Sequence, residues 1–131
     1  MPRLTRPNYR AVKATPEESR GMYNPPRVLE VKYRRKVLRL VISPGRTDDI
    51  DVSARGDLVY VACVRRSFPY LGCEVFNLDG VRVADFFAQG SDQCADIFGH
   101  ELPDDGSDVR WEEWSERYLY AQIRAVADQL V

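Results

Sequence analysis

Four residues have side chains suited to chemistry at a single centre: Cys63, Cys73, Cys94 and His100. Three thiolates and an imidazole could close a tetrahedron around zinc. Their spacing argues against it. Nine, 20 and five residues intervene between successive members, whereas structural zinc sites draw their ligands in pairs from short loops. Cys63 also stands in "LVYVACVRR", where a cysteine among apolar neighbours behaves as a small hydrophobe. The expectation is three reduced thiols, with no metal and no cofactor. His100 is the single histidine of 131 residues, so a Ser-His-Asp or Cys-His relay would have to use it. It follows a glycine at an expected helix end, inside an acidic loop, which is the setting of a surface residue.

Carboxylates cluster in "TDDID" (47–51) and "ELPDDGSD" (101–108). Neither has the D-x-D-x-D-G spacing with a distal glutamate that a calcium loop requires, and aspartates favour turns and helix caps. Glycines are scattered singly, so no phosphate-cradling loop is encoded. "RGD" at 55–57 matches an adhesion tripeptide, but the same residue types build a hairpin turn, which is the reading adopted.

Charge is the most informative property. The chain holds 19 Lys and Arg against 20 Asp and Glu, yet residues 1–40 contain 11 of the basic residues and three acids, Glu17, Glu18 and Glu30, leaving +8. Residues 41–131 carry the other eight basic residues and 17 acids, leaving −9. Such asymmetry points to charged partners. If the basic part tracks phosphates, Arg3, Arg6, Arg10, Lys13, Lys32, Arg34, Arg35, Lys36 and Arg39 supply the cations, with Tyr9, Tyr23 and Tyr33 to stack. The competing reading lays these cations across the chain's own acidic half. Lys and Arg on an edge strand also discourage aggregation without any ligand.

The elements that position these residues follow from periodicity. Prolines 2 and 7 make residues 1–14 an extended arm. Thr15 and Glu18 fit a capping box with Pro16 between them, predicting a helical turn or two ended by Gly21. Leu29, Val31 and Tyr33 alternate with Glu30 and Lys32, and Leu38, Leu40 and Ile42 with Arg39, Val41 and Ser43, the period of half-buried strands. "RRK" between them is a tight hairpin or the middle of one bent strand. "DIDVSA", "LVYVACVRR", "CEVFNL" and "VRVADFF" continue the series, the last two flanking an Asp79-Gly80 turn. Ser91 or Asp92 can cap a short helix that ends at Gly99, with Cys94, Ile97 and Phe98 on its apolar side. Asp108 then caps a helix over 109–131, with Leu119, Ile123, Val126 and Leu130 on one stripe and Trp111, Trp114 and Tyr118 on the next.

The expected fold is α+β: an antiparallel meander of five or six strands, curling toward a half-barrel and packed by a long C-terminal helix, with an extended basic N-terminal arm. Residues 1–27 form the arm with its short helical segment and 28–131 one globular domain. No apolar run approaches the ~18 residues of a membrane span, and the first residues lack a secretory h-region. A cytoplasmic setting without a membrane is therefore expected.

The expected function is that of a non-enzymatic binding protein, of the inhibitor, immunity, adaptor or phage- and plasmid-accessory kind, docking on a protein partner through charge-complementary surfaces. Asp104, Asp105, Asp108, Trp111, Trp114, Arg117 and Tyr118 form the candidate partner patch, since exposed aromatics beside arginines resemble interface hot spots. The alternative is a nucleic-acid-binding module using residues 1–40, and a third reading is an enzyme with a carboxylate site in a concave pocket.

Overall fold

A computed structural model describes residues 3–21, 26–43, 49–65, 70–90, 93 and 116–131. Seven strands and one helix are defined among them: β1 (Asn8–Val12), β2 (Arg27–Tyr33), β3 (Lys36–Ile42), β4 (Asp49–Arg55), β5 (Leu58–Arg65), β6 (Tyr70–Phe76), β7 (Arg82–Gln89) and α1 (Glu116–Asp128). The fold is mostly β, with two antiparallel sheets ordered β1-β2-β3 and β4-β5-β6-β7 and no closed barrel among the described residues. The single meander expected from the pattern is thus two meanders, divided between β3 and β4.

The division has a packing cause. β2 and β3 alternate, so the three-stranded sheet has one apolar face: Leu29, Val31, Leu38, Leu40 and Ile42 pack against Val52, Ala54, Val59, Val61 and Phe76 of the four-stranded sheet. β6 is buried at every position, and the second face of its sheet packs Tyr60, Ala62, Val64, Leu71, Cys73 and Val75 under Tyr120, Ile123 and Ala127 of α1. A sheet covered on both faces reads as continuous apolar sequence, while a half-solvated one alternates. Among the described residues, no helix is long and apolar enough to cross a membrane.

Three expectations are refined. The arm is not simply extended: Asn8–Val12 pairs along β2, from Asn8 with Lys32 to Val12 with Val28. Thr5 adds a further bridge to Ala54 at the edge of β4, with backbone bonds of 2.8 and 2.9 Å. The Thr15–Glu18 capping box forms reciprocally, Thr15 N–H donating to Glu18 Oε1 at 2.7 Å and Glu18 N–H to Thr15 Oγ1 at 3.1 Å, and it closes a single turn, the shorter of the two lengths expected. Finally, the long C-terminal helix is described as 13 residues, Glu116–Asp128, residues 109–115 lying outside the described residues. Its buried face is Tyr120, Ile123, Arg124 and Ala127, and Leu130, expected inside, is 50% exposed. The face is rotated because Arg124 points inward to an acid on β4.

The hairpins settle two ambiguities. "RRK" is a two-residue turn, with Arg34 (φ 51) and Arg35 (φ 62) both left-handed as a type I′ hairpin demands. "RGD" is the β4–β5 turn, with Gly56 at φ 60 between the paired Arg55 and Leu58.

Candidate functional site

The three-stranded sheet presents its second face outward. Alternation and register place Asn8, Lys32 and Val37 in one cross-strand row, and Arg10, Glu30 and Arg39 in the next. A groove of about 460 Å³ lies here, lined by Asn8, Tyr9, Arg10, Glu30, Lys32 and Val37. Val37 is 60% exposed although it sits in a strand, and Val41 on the same side of β3 is exposed as well. An apolar residue in the outward phase of an alternating strand suits the strand by its branching, and here it leaves apolar surface open beside the Lys32 row.

The rows are held by ion pairs. Arg10 Nε donates to Glu30 Oε1 at 2.9 Å, and its Nη2 lies 2.6 Å from the same oxygen as an ion pair. Arg39 grips Glu18 with Nε at 3.0 Å and Nη2 at 2.7 Å, and its Nη2 also donates to the Lys13 carbonyl at 3.2 Å. The Arg39 hydrogen bonds and the Thr15 amide together hold the Glu18 carboxyl down at about 2, and the same contact raises the Arg39 guanidinium. The turn at 15–20 is thereby tied to β3. At the hairpin tip Arg34 reaches Asp57 at 2.6 Å and lies 5.5 Å over the Tyr33 ring, while Tyr33 Oη donates to the Gly56 carbonyl at 2.7 Å. These contacts fasten the β2–β3 turn to the β4–β5 turn.

Of the nine cations expected to track phosphate, four are therefore engaged by carboxylates of the same chain. Arg10, Arg34 and Arg39 have the partners just given, and Arg6 pairs with Asp51. Arg3, Lys13, Lys32, Arg35 and Lys36 are exposed and make no ion pair among the described residues. Of the other expected patch, Asp104, Asp105, Asp108, Trp111 and Trp114 lie outside the described residues, and Arg117 and Tyr118 fall in the first turn of α1. Cys94 and His100 are likewise outside.

Asp51, read from the sequence as a turn aspartate, and Glu74, not singled out there, are buried carboxylates, and Asp128 is half-buried. Asp51 on β4 is held by Arg124 of α1 at 3.0 Å and by Arg6 of the arm. Burial pushes the Arg124 guanidinium down, offset by the charge of Asp51. One turn further along the helix, Asp128 accepts from Tyr60 Oη at 2.5 Å and Arg55 at 3.1 Å, and burial followed by the Asp128 hydrogen bond pushes the phenol up. On the opposite face Glu74 accepts from Arg82 at 2.8 Å and from the amide and hydroxyl of Ser43. Each acid is neutralised by an arginine, an arrangement that fastens elements together. Cys63 and Cys73 are both buried, and burial pushes the Cys73 thiol up, away from the thiolate a nucleophile needs. Among the described residues no three His, Cys, Asp or Glu side chains converge as metal ligands.

The sequence matches no protein-family model, and no similar protein was found among curated proteins or solved structures.

Proposed function

We propose that this chain is a non-enzymatic binding domain that docks on a protein partner through the outer face of its three-stranded sheet. One observation carries the reading: an open groove sets the exposed Val37 beside Lys32, a cation with no carboxylate of its own among the described residues. Apolar contact supplies the affinity of such a surface, and the charges around it supply orientation and rate of encounter. The carboxylates that already take Arg6, Arg10, Arg34 and Arg39 favour a protein over a phosphate backbone, because displacing the counterions condensed on phosphates requires cations that are not already paired. Affinity capture with the full chain tests the proposal when run beside Val37→Asp and Lys32→Glu variants. A partner recovered with the parent and lost with both variants is expected. Equal recovery with the variants would move the docking surface elsewhere.

A further inference from the structure

Resting on that docking face, we infer the chemistry of its occupant: an acidic segment of the partner protein, interleaved with apolar residues, laid across β1–β3 so that an apolar side chain covers Val37 and carboxylates meet Lys32 and Arg35. The argument is one of complementarity. On this face Arg10, Lys32 and Arg39 stand against Glu18 and Glu30, and the adjoining hairpin adds the exposed Arg35 and Lys36. The surplus is therefore positive and lies on the Lys32 row, next to Val37.

The internal ion pairs sharpen the demand. Arg10 and Arg39 are committed to Glu30 and Glu18 through ion-pair contacts of 2.6–3.0 Å, so they position the surface without needing the ligand. A purely anionic ligand would use Lys32 and Arg35 and leave Val37 in water. A purely apolar one would strand the two cations. Only a segment carrying both kinds of side chain satisfies the groove, and unpaired charge at an apolar contact penalises the others.

The test uses the full chain as bait for a random-sequence peptide library, with a mixed-sequence single-stranded oligodeoxynucleotide assayed in parallel by fluorescence anisotropy. Selected peptides are expected to interleave Asp or Glu with aliphatic or aromatic residues. Their binding should weaken about tenfold in Lys32→Glu and in Val37→Asp, each alteration removing one favourable contact of roughly the size that a factor of ten reflects. Both positions are exposed, so unchanged melting temperatures serve as the control for folding. Peptides that are neutral or basic, yet sensitive to both substitutions, would overturn the acidic occupant and leave the docking face standing. Peptides indifferent to both substitutions, or none selected, would overturn the face and the occupant together. Oligonucleotide binding that is tighter than peptide binding, and lost in Lys32→Glu, would make the ligand a nucleic acid and sink the inference.

Discussion

On the helix side of the four-stranded sheet Asp51 holds two arginines, Arg6 from the arm and Arg124 from α1; on the other side Glu74 holds Arg82 and the amide and hydroxyl of Ser43. Both carboxylates are buried, and both join elements that lie far apart in the sequence. They differ in what would remain if the acid were removed. The Arg124 side chain is 7% exposed, whereas Arg82 is 44% exposed. A stranded cation with no route to water costs far more than one that can swing outward. The helix side is thus a clamp that needs every member, and the sheet side a latch that can relax.

The largest effect should come from breaking the clamp. Asp51→Ala leaves Arg124 buried without its partner and is expected to cost about 3–5 kcal/mol in urea unfolding, the range for halving a buried pair. Glu74→Ala leaves two donors of Ser43 unsatisfied but frees Arg82 to solvent, so about 1–3 kcal/mol is expected. Equal losses at the two positions would show that exposure of the surviving arginine does not decide the outcome.

The latch side has a second point of closure at Gly80, in the β6–β7 turn. Its φ is 77°, and a Cβ there would lie 2.9 Å from the carbonyl oxygen of Arg39 on β3. Asn77 builds the turn, its Oδ1 accepting from the amides of Asp79 and Val81 at 2.9 and 3.0 Å. Gly80→Ala must both strain the backbone and push β3 away, and about 1–3 kcal/mol of destabilisation is expected. If the loss is confined to the sheet side, hydrogen exchange should quicken in β3 and leave α1 unchanged.

How much of this was legible follows from the range over which each signal acts. Strand alternation in β2 and β3 is local, and so is the Asp79-Gly80 turn; both were readable. The split into two sheets depends on what covers each face. The apolar run of β5, and of β6 apart from Glu74, was the available sign that their sheet is covered twice. The orientation of α1 was misread because Val126 and Leu130 fit an apolar stripe, while Arg124 is drawn inward by an acid 73 residues away. At the candidate site the basic residues were readable, but their partners Glu18, Glu30, Asp51 and Asp57 come together only in the fold. Val37 and Val41 did carry a local sign, being apolar residues in the outward phase of an otherwise alternating strand.

Smaller substitutions should stabilise, one on each side. Ser53 is buried on β4 in the same phase as Asp51, and its hydroxyl has no hydrogen-bond partner among the described residues. Ser53→Ala removes a desolvated hydroxyl and is expected to add about 1 kcal/mol, read from the denaturation midpoint. On the sheet side Arg35 holds a left-handed conformation that side chains resist. Arg35→Gly relieves the strain and loosens the unfolded chain, for a net gain of about 0.5 kcal/mol. A loss at Arg35→Gly would mean that its side chain makes a stabilising contact in the fold.

The Glu18–Arg39 pair gives the finest distinction, because it lies on the outer face, away from both buried acids. The Glu18 carboxyl is lowered from 4.5 to about 2, chiefly by the Arg39 hydrogen bond and then by the Thr15 amide. A folded-state value below the unfolded one means that the contribution is complete above about pH 4.5 and is lost as the pH falls toward 2. The carboxyl resonance of Glu18 should therefore titrate near the bottom of that window. Arg39→Gln should return it part of the way toward 4.5 and leave the remainder to Thr15, so a variant that titrates unchanged would assign the whole shift to the capping turn. Because the pair is at the surface, high salt should shrink the shift without disturbing the Asp51 clamp, which salt reaches poorly.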